Sequence, residues 1–381
     1  MVRAGREGRS VRERATPQRR RIVHERAVRQ KRPVRERALL QKRRFPLRAA
    51  LLALAALILA AAALFDAFAF PLHYLLRPLP ALAARGEGEL CVHFIDVGQG
   101  DATLLCLPDG KFMLIDGGDG SAEASGALVS ALRAAGVKRL DYVLLTHADA
   151  DHSGGLREAV RLFGADTVFM PPAERAAAGT PFGDFYEAAV QAGAEVCLSQ
   201  MYEAVYPADA GEDFYYLLFL APLSPSSENS AYRGEDDNES SAVVWLEYAG
   251  RSLLFTGDAG EETEAALADL FSVLGPEALA YPAETSGGTV WLAPDLASLD
   301  FLKAGHHGSA GSTGEALLAA ARPEAVFFSA GAGNAYRHPA HSVAARIREH
   351  GSAAMYRTDE LGTVTLTVCR GGGYEVTWAG K

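Results

Sequence analysis

The chain has 381 residues, 49% of them hydrophobic, which is enough to bury a full core and excludes a wholly disordered protein. Its net charge of −10 is unevenly distributed: residues 1–48 hold 18 Lys and Arg against four Asp and Glu, whereas the remainder holds 19 basic and 43 acidic side chains. The four cysteines include no CxxC pair, which excludes a zinc ribbon and a dense disulfide framework.

The first 45 residues are basic and contain runs such as QRRRIVHERAVRQKR. Like charges repel one another and little apolar surface is available, so this composition predicts a disordered or surface-lying tail. Because basic residues that precede a membrane span favour the cytoplasmic side, we expect this tail in the cytoplasm.

Residues 46–72 contain an apolar run, Ala49 to Phe65, of 17 residues without a polar side chain. As a helix this run rises about 26 Å, close to the hydrocarbon core of a bilayer, which predicts a transmembrane anchor. A cleaved signal peptide is the alternative, since Ala67-Phe68-Ala69 fits a small-x-small cleavage site. We favour an uncleaved single span, followed by a Pro- and Gly-containing linker at 73–89 and an extracellular domain.

From Leu90 onward short β-like runs alternate with helical ones. The strand-like segments LCVHFIDVG, ATLLCLP and KFMLIDGG precede the helical run AEASGALVSALRAAG and the strand LDYVLLTH. Later strands and helices continue this alternation without an internal repeat, which predicts one α/β domain over 90–381.

The stretch THADADHSGG places four potential metal ligands just after a predicted strand: His147, Asp149, Asp151 and His152. Mixed imidazole and carboxylate ligands suit zinc, manganese or iron. A polar turn with solvated acids is the simpler alternative, but H-x-D-x-D-H followed by two glycines favours a metal site.

Two distant segments repeat this arrangement at predicted strand ends. Asp258 follows a strand in LLFTGDAGEE, and His306 and His307 follow another in LDFLKAGHHGS. Since functional side chains of α/β folds concentrate at strand ends, we expect the three segments to meet.

In this order the motifs resemble the metallo-β-lactamase-fold hydrolases. The segments HFIDVGQGDATLL, THADADHSGG and LKAGHHGSAGST are most similar to the extracellular metallo-β-lactamase-like domain of the ComEC family of competence DNA-uptake proteins. The likeness extends from about Leu90 to Val368 and implies an αββα sandwich with metals at one edge of two sheets.

The resemblance also implies a site for two divalent metal ions. His147 and Asp149 would hold one ion, Asp151 and His152 the other, and Asp258 would bridge them. Asp151 is also a predicted catalytic residue.

His306 would complete the set, because it directly follows Gly305, whereas His307 is the alternative and is expected to point elsewhere. Relatives often supply one more histidine, and this chain has none between residues 153 and 305. That absence, and Asp149 in place of a histidine, make manganese plausible beside zinc.

Other polar residues are candidates for substrate contact or for support of the ligands. His338 in GNAYRHPAHSV is the predicted general acid or phosphate ligand. For Asp116 in LIDGG, a simple turn and support of the metal loop are equally good interpretations. The candidates for substrate binding or support of the ligands are Asp101, Asn238, Ser241 and Ser309.

The sequence thus predicts a membrane-anchored extracellular metallohydrolase of phosphodiesters, with DNA as the leading substrate. The acidic domain argues partly against a nuclease, because affinity for a polyanion depends largely on Lys and Arg. A phosphorylcholine-type esterase of the cell wall is therefore one alternative, and a catalytically silent binding module is another. The predicted partners are the phosphodiester and, through one helix, the membrane.

Overall fold

The computed structural model describes residues 47–68, 71–222 and 238–381. The chain falls into two units, residues 1–57 and 58–381. The predicted basic tail, 1–45, lies outside the described residues. Helix α1 (Leu47–Phe68) lies within the predicted anchor. Among the described residues, no helix has both the length and the apolar character needed to cross a membrane.

Residues 71–89 contact the domain that follows them. Helix α2 (Leu72–Leu76) buries Tyr74, and Arg133 donates a hydrogen bond to the Tyr74 carbonyl. Further along, Arg85 donates to the carbonyl of Leu107 over 2.8 Å. The segment predicted as a linker is therefore held at several points.

The largest of three sheets in the described part of the chain is mixed, and its eight strands carry the first half of the domain plus the C-terminal hairpin. In spatial order they are β17 (Tyr374–Trp378), β16 (Val364–Val368), β1 (Leu90–Phe94), β2 (Thr103–Cys106), β3 (Phe112–Ile115), β4 (Leu140–Leu144), β5 (Ala165–Met170) and β6 (Glu195–Leu198). Strands β3 to β6 run parallel to one another.

The second sheet has seven strands in the described residues, and a separate hairpin lies beside them in the chain. Its spatial order is β15 (Ala354–Arg357), β14 (Ala325–Phe328), β13 (Phe301–Lys303), β10 (Arg251–Phe255), β9 (Val243–Tyr248), β8 (Tyr215–Ala221) and β7 (Ala204–Val205). The hairpin is β11 (Tyr281–Thr285) with β12 (Gly288–Leu292). Strands β10, β13, β14 and β15 are parallel.

The remaining helices connect these strands. They are α3 (Ala122–Ala134), α4 (Ala150–Ser153), α5 (Leu156–Phe163), α6 (Pro181–Gln191), α7 (Glu261–Leu274), α8 (Glu315–Ala321), α9 (His341–His350) and α10 (Thr358–Leu361).

Three apolar cores make this an αββα sandwich, as the family resemblance implied. Helices α3, α5 and α6 pack on one sheet, α7, α8 and α9 pack on the other, and a third core lies between the sheets. Because successive strand side chains point to opposite faces, Leu104 enters the helical core while Leu105 enters the central one. The rings of Phe94 and Phe327 stack across the central core at 4.4 Å.

Candidate metal centre

The THADADHSGG segment leaves β4 and turns into α4. His147 and His152 are fully buried, whereas the side chains of Asp149 and Asp151 remain 47% and 33% exposed. The imidazoles therefore line the base of the site, and the carboxylates lie at its rim. His147 Nε2 lies 3.7 Å from Asp149 Oδ2.

The two glycines that end the segment allow a close approach of backbone to backbone. A Cβ atom on Gly155 would lie 2.1 Å from the Gly117 carbonyl oxygen, and one on Gly154 would lie 2.4 Å from the Asp119 carbonyl carbon. No side chain fits at such distances, so this turn requires glycine to reach the LIDGG loop.

Asp116 orients His152 and holds the neighbouring Thr146. Its carboxylate accepts hydrogen bonds from the Thr146 N–H at 2.9 Å and the Thr146 hydroxyl at 2.8 Å, and its Oδ2 lies 2.8 Å from His152 Nδ1. A carboxylate on one imidazole nitrogen fixes the ring so that the other nitrogen faces the site. Of the two interpretations that the sequence left open, the structure favours support of the metal loop.

Asp258 reaches the same place from the end of β10. Its backbone N–H donates to Ser241 Oγ at 3.1 Å, and Gly257, with φ 54°, leaves room for the Ser241 side chain, whose Cβ would lie 3.0 Å from a Cβ at residue 257. Its Oδ1 lies 3.2 Å from His152 Nε2. Ser241 thus positions Asp258, and the Asn238 carbonyl in turn accepts the Ser241 N–H.

His306 and His307 follow β13 in a short 3-10 turn, Gly305–Gly308, and both have positive φ. His307 is buried, with Nδ1 at 3.1 Å from the Ser329 carbonyl oxygen and Nε2 at 3.2 Å from Asp151 Oδ2. His306 is one-third exposed, and its Nε2 lies 3.6 Å from Asp258 Oδ2. The expectation that His307 points elsewhere is therefore wrong: the left-handed backbone turns both rings toward the carboxylates.

A buried ion pair, which the sequence motifs did not predict, lies beside His307. Lys303 Nζ lies 2.8 Å from Asp101 Oδ2, and both side chains are almost fully buried. Asp101 Oδ1 is 3.7 Å from His307 Nδ1. The available signal was a lysine at the end of an otherwise apolar strand, two residues before GHHG.

The buried charges shift several pKa values in opposite directions. Burial alone would lower the pKa of His307, but the carboxylates of Asp258 and Asp101 outweigh it and raise the pKa to about 10. The same attraction raises the pKa of His152 well above its usual range and holds that of Asp258 well below its own. The cluster therefore favours extra positive charge in its centre.

The residues fit a divalent cation. Three buried atoms of the site, His147 Nε2, His152 Nε2 and Asp258 Oδ1, form no hydrogen bond within the described residues, although the last two lie 3.2 Å apart. Unsatisfied buried polar atoms are costly, so these atoms indicate a ligand that satisfies them. Asp101, His152, Asp258 and His307 also offer ligand atoms that all lie within 4.8 Å of one another.

His338 and Ser309 lie beside this cluster. The His338 ring is 5.7 Å from that of His306, and its Nδ1 is a buried atom without a hydrogen-bond partner in the described part of the chain. Ser309 ends the 3-10 turn by donating its N–H to the His306 carbonyl. The structure thus brings His338 to the site through its side chain and Ser309 through its backbone.

Comparisons with known proteins identify the family that this chain resembles. The family model of the metallo-beta-lactamase superfamily matches residues 95–331. ComE operon protein 3 of Bacillus subtilis (strain 168) is 29% identical over 76% of this chain and 34% of its own length. Competence protein ComA of Neisseria gonorrhoeae is 32% identical over 75% of this chain and 33% of its own length. The chain spans about a third of these relatives.

Among solved structures, CmlA, a diiron beta-hydroxylase from Streptomyces venezuelae, aligns over 71% of this chain and 53% of its own with 13% identity and a TM-score of 0.40. That score is too low to indicate function. The matches to the competence proteins confirm the resemblance that the motifs predicted.

Proposed function

The chain belongs to the metallo-beta-lactamase superfamily, and on that premise we propose that it is a phosphodiesterase dependent on two divalent ions, zinc or manganese. The observation that carries this proposal is the buried group of Asp101, His152, Asp258 and His307, whose ligand atoms all lie within 4.8 Å of one another. When bound, a pair of such ions activates water and neutralises negative charge on a phosphoryl group.

One ion position is defined by four side chains. Asp151 and His307 approach each other to 3.2 Å, and His152 approaches Asp258 to the same distance. We assign His307 to this position in preference to His306, because its buried Nε2 contacts two of the other ligands.

The other ion position is more open. His147, Asp149 and one oxygen of Asp258 border it, and Asp149 is half-exposed. His306, whose Nε2 lies 3.6 Å from Asp258 Oδ2, stands beside this position. With fewer imidazoles, this position has more oxygen character, which suits manganese as well as zinc.

His338 is the proposed contact for the leaving-group oxygen. It is half-buried, and its ring lies 5.7 Å from that of His306 and 6.4 Å from that of His307. An imidazole at that place can position the oxygen or pass it a proton. Asp151, at the rim, is the proposed partner on the side of the attacking water.

For the substrate we propose DNA, at an extracellular site anchored by the N-terminal apolar helix. The relatives' names support a role in competence, and the basic residues ahead of the apolar run support the orientation. The acidic domain favours one second candidate, a small phosphodiester of the cell wall. The chain keeps Asp258, the proposed bridging ligand, together with the other proposed ligands. This ligand set argues against a silent binding module.

The test is Asp258→Asn in the full chain. This change keeps the side chain's shape but weakens the ligand that faces both ions, so hydrolysis of bis-(p-nitrophenyl) phosphate should fall by at least about 100-fold and metal content should drop. Asp269→Asn, at an exposed position on α7, is the matched control. Unchanged metal content and unchanged hydrolysis in Asp258→Asn would refute the proposal.

The histidine assignment is tested by the same metal analysis. We expect His307→Ala to lose more bound metal than His306→Ala, because His307 is the buried member of the cluster. The reverse order would return the ligand role to His306.

A further inference from the structure

The loop between β14 and α9 presents an exposed aromatic ring beside the candidate metal centre. Tyr336 is 69% exposed, and its ring lies 5.7 Å from that of His338 at an interplanar angle of 26°. The His338 ring is in turn 6.4 Å from that of His307 at 27°. The rings of His307, His338 and Tyr336 therefore form a row of nearly parallel rings that runs from a buried candidate ligand to the solvent.

The loop that carries Tyr336 is held firmly. The Asn334 side chain donates to the carbonyls of Gly331 and His338 and accepts the His338 N–H, so that one amide closes the turn around the tyrosine. On the far side, Pro339 packs so closely on Gly308 that a Cβ atom there would lie 2.8 Å from its ring. Tyr336 is thus exposed on a loop whose backbone is already held, an arrangement that lowers the ordering cost of an aromatic contact.

Arg337 adds a positive charge next to this ring. Its side chain is exposed and forms no ion pair or hydrogen bond with the described residues. The rest of the domain is acidic, so few other cations are available to bind a polyanion. Apart from the proposed metal ions, the affinity for a nucleic acid must therefore come mainly from contacts other than charge.

We propose that Tyr336 is a stacking platform for a nucleic-acid base next to the phosphodiester bond that is cleaved. This inference rests on the proposed phosphodiesterase function and gives it a substrate class, single-stranded nucleic acid. Every base has a π-face, so stacking is tolerant of sequence, and it contributes affinity without basic residues. A paired base is stacked within its duplex and cannot use the platform until it is released.

The experiment compares two single strands with the same backbone, one carrying bases and one abasic throughout, as substrates of the purified full chain loaded with manganese or zinc. Wild-type protein should have a kcat/KM for the base-carrying strand roughly 5- to 150-fold higher than for the abasic strand, the range expected for one stacked base. In Tyr336→Ala this ratio should fall toward one, and Tyr336→Phe should restore most of it.

Trp291→Ala is the matched control, because Trp291 is 64% exposed and lies on the separate β11–β12 hairpin. It should leave the ratio at the wild-type value. A ratio near one in wild-type protein, or a Tyr336→Ala ratio equal to wild type, would overturn the platform while leaving the phosphodiesterase proposal intact. If metal-loaded wild-type protein cleaves neither strand and does not cleave bis-(p-nitrophenyl) phosphate, the stacking platform and the phosphodiesterase proposal are both overturned.

Discussion

Lys303 and Asp101 form a buried ion pair at the site, with side chains only 3% and 6% exposed, and its contribution to stability depends on both partners being present. Burial would raise the pKa of Asp101, but Lys303 first, and the nearby imidazoles after it, hold that pKa well below its usual range. Removal of the lysine leaves a buried carboxylate beside His307 with less positive charge to compensate it.

We therefore expect Lys303→Met to lower the free energy of unfolding by about 3–5 kcal/mol. The double variant Asp101→Asn/Lys303→Met should recover much of this loss, since it removes both charges together. Urea denaturation of the metal-free proteins measures both. A double variant as unstable as the single one would show that Lys303 acts through packing alone.

Tyr336, by contrast, has little to do with stability, since it is exposed and lies outside the three cores. Residues of the site thus fall into two kinds. Asp101, Asp116 and Ser241 are buried and position ligands, whereas Tyr336 and Arg337 face the solvent that a substrate would occupy. Substitutions of the first kind should change metal content, and those of the second kind should change substrate preference.

At the scale of elements, helix α7 fixes the start of α8, and Thr313 there accepts the Gly305 N–H at the start of the turn that carries His306 and His307. Glu264 of α7 accepts the backbone N–H groups of Thr313 at 2.8 Å and Gly314 at 2.6 Å. Burial raises the pKa of this carboxyl to about 7, against the opposing effect of the two N–H donors. Folding therefore couples to its protonation.

The direction in which stability changes with pH follows from the linkage between protonation of Glu264 and folding. Between pH 4.5 and about 7 the folded protein holds a proton on Glu264 that the unfolded chain has released, so the stabilisation is present at low pH and is lost as pH rises through about 7. We expect the free energy of unfolding of wild-type protein to fall over this window relative to Glu264→Gln. Thermal or urea unfolding from pH 4.5 to 8 measures the difference.

Glu262→Gln, at an exposed position of the same helix, is the control and should track wild type at every pH. Parallel curves for wild type and Glu264→Gln across the window would contradict the raised pKa.

At the scale of the whole molecule, the charge asymmetry predicts a fixed topology. If the apolar run is an anchor with the basic tail inside the cell, protease added to intact cells should remove the acidic domain, 90–381. An antibody against a C-terminal tag on the full chain reports the loss. Protection of the domain would contradict the extracellular location, and a secreted form that starts near Phe70 would support the signal peptide instead.

Many of the helices, strands and turns could be predicted from the sequence because they depend on local patterns. The helical run AEASGALVSALRAAG contains α3 (Ala122–Ala134), and the strand expected in LDYVLLTH is β4 (Leu140–Leu144). Hydrophobic periodicity and the glycine turns that follow each strand belong to short segments, so they survive without knowledge of the partners. The same reasoning placed His147, Asp258 and the two adjacent histidines at strand ends.

Only the tertiary structure decided which side chains meet. The contact of Lys303 with Asp101 spans 202 residues, and that of His152 with Asp116 spans 36. The direction of His307 depends on a positive φ that no periodicity reveals for a histidine. The sequence alone determined the α/β alternation, the ligand types and the charge asymmetry, because composition and spacing are local, and the sandwich followed from the family resemblance. Strand pairing and close backbone approach determined the rest, because they join segments that are distant in the chain.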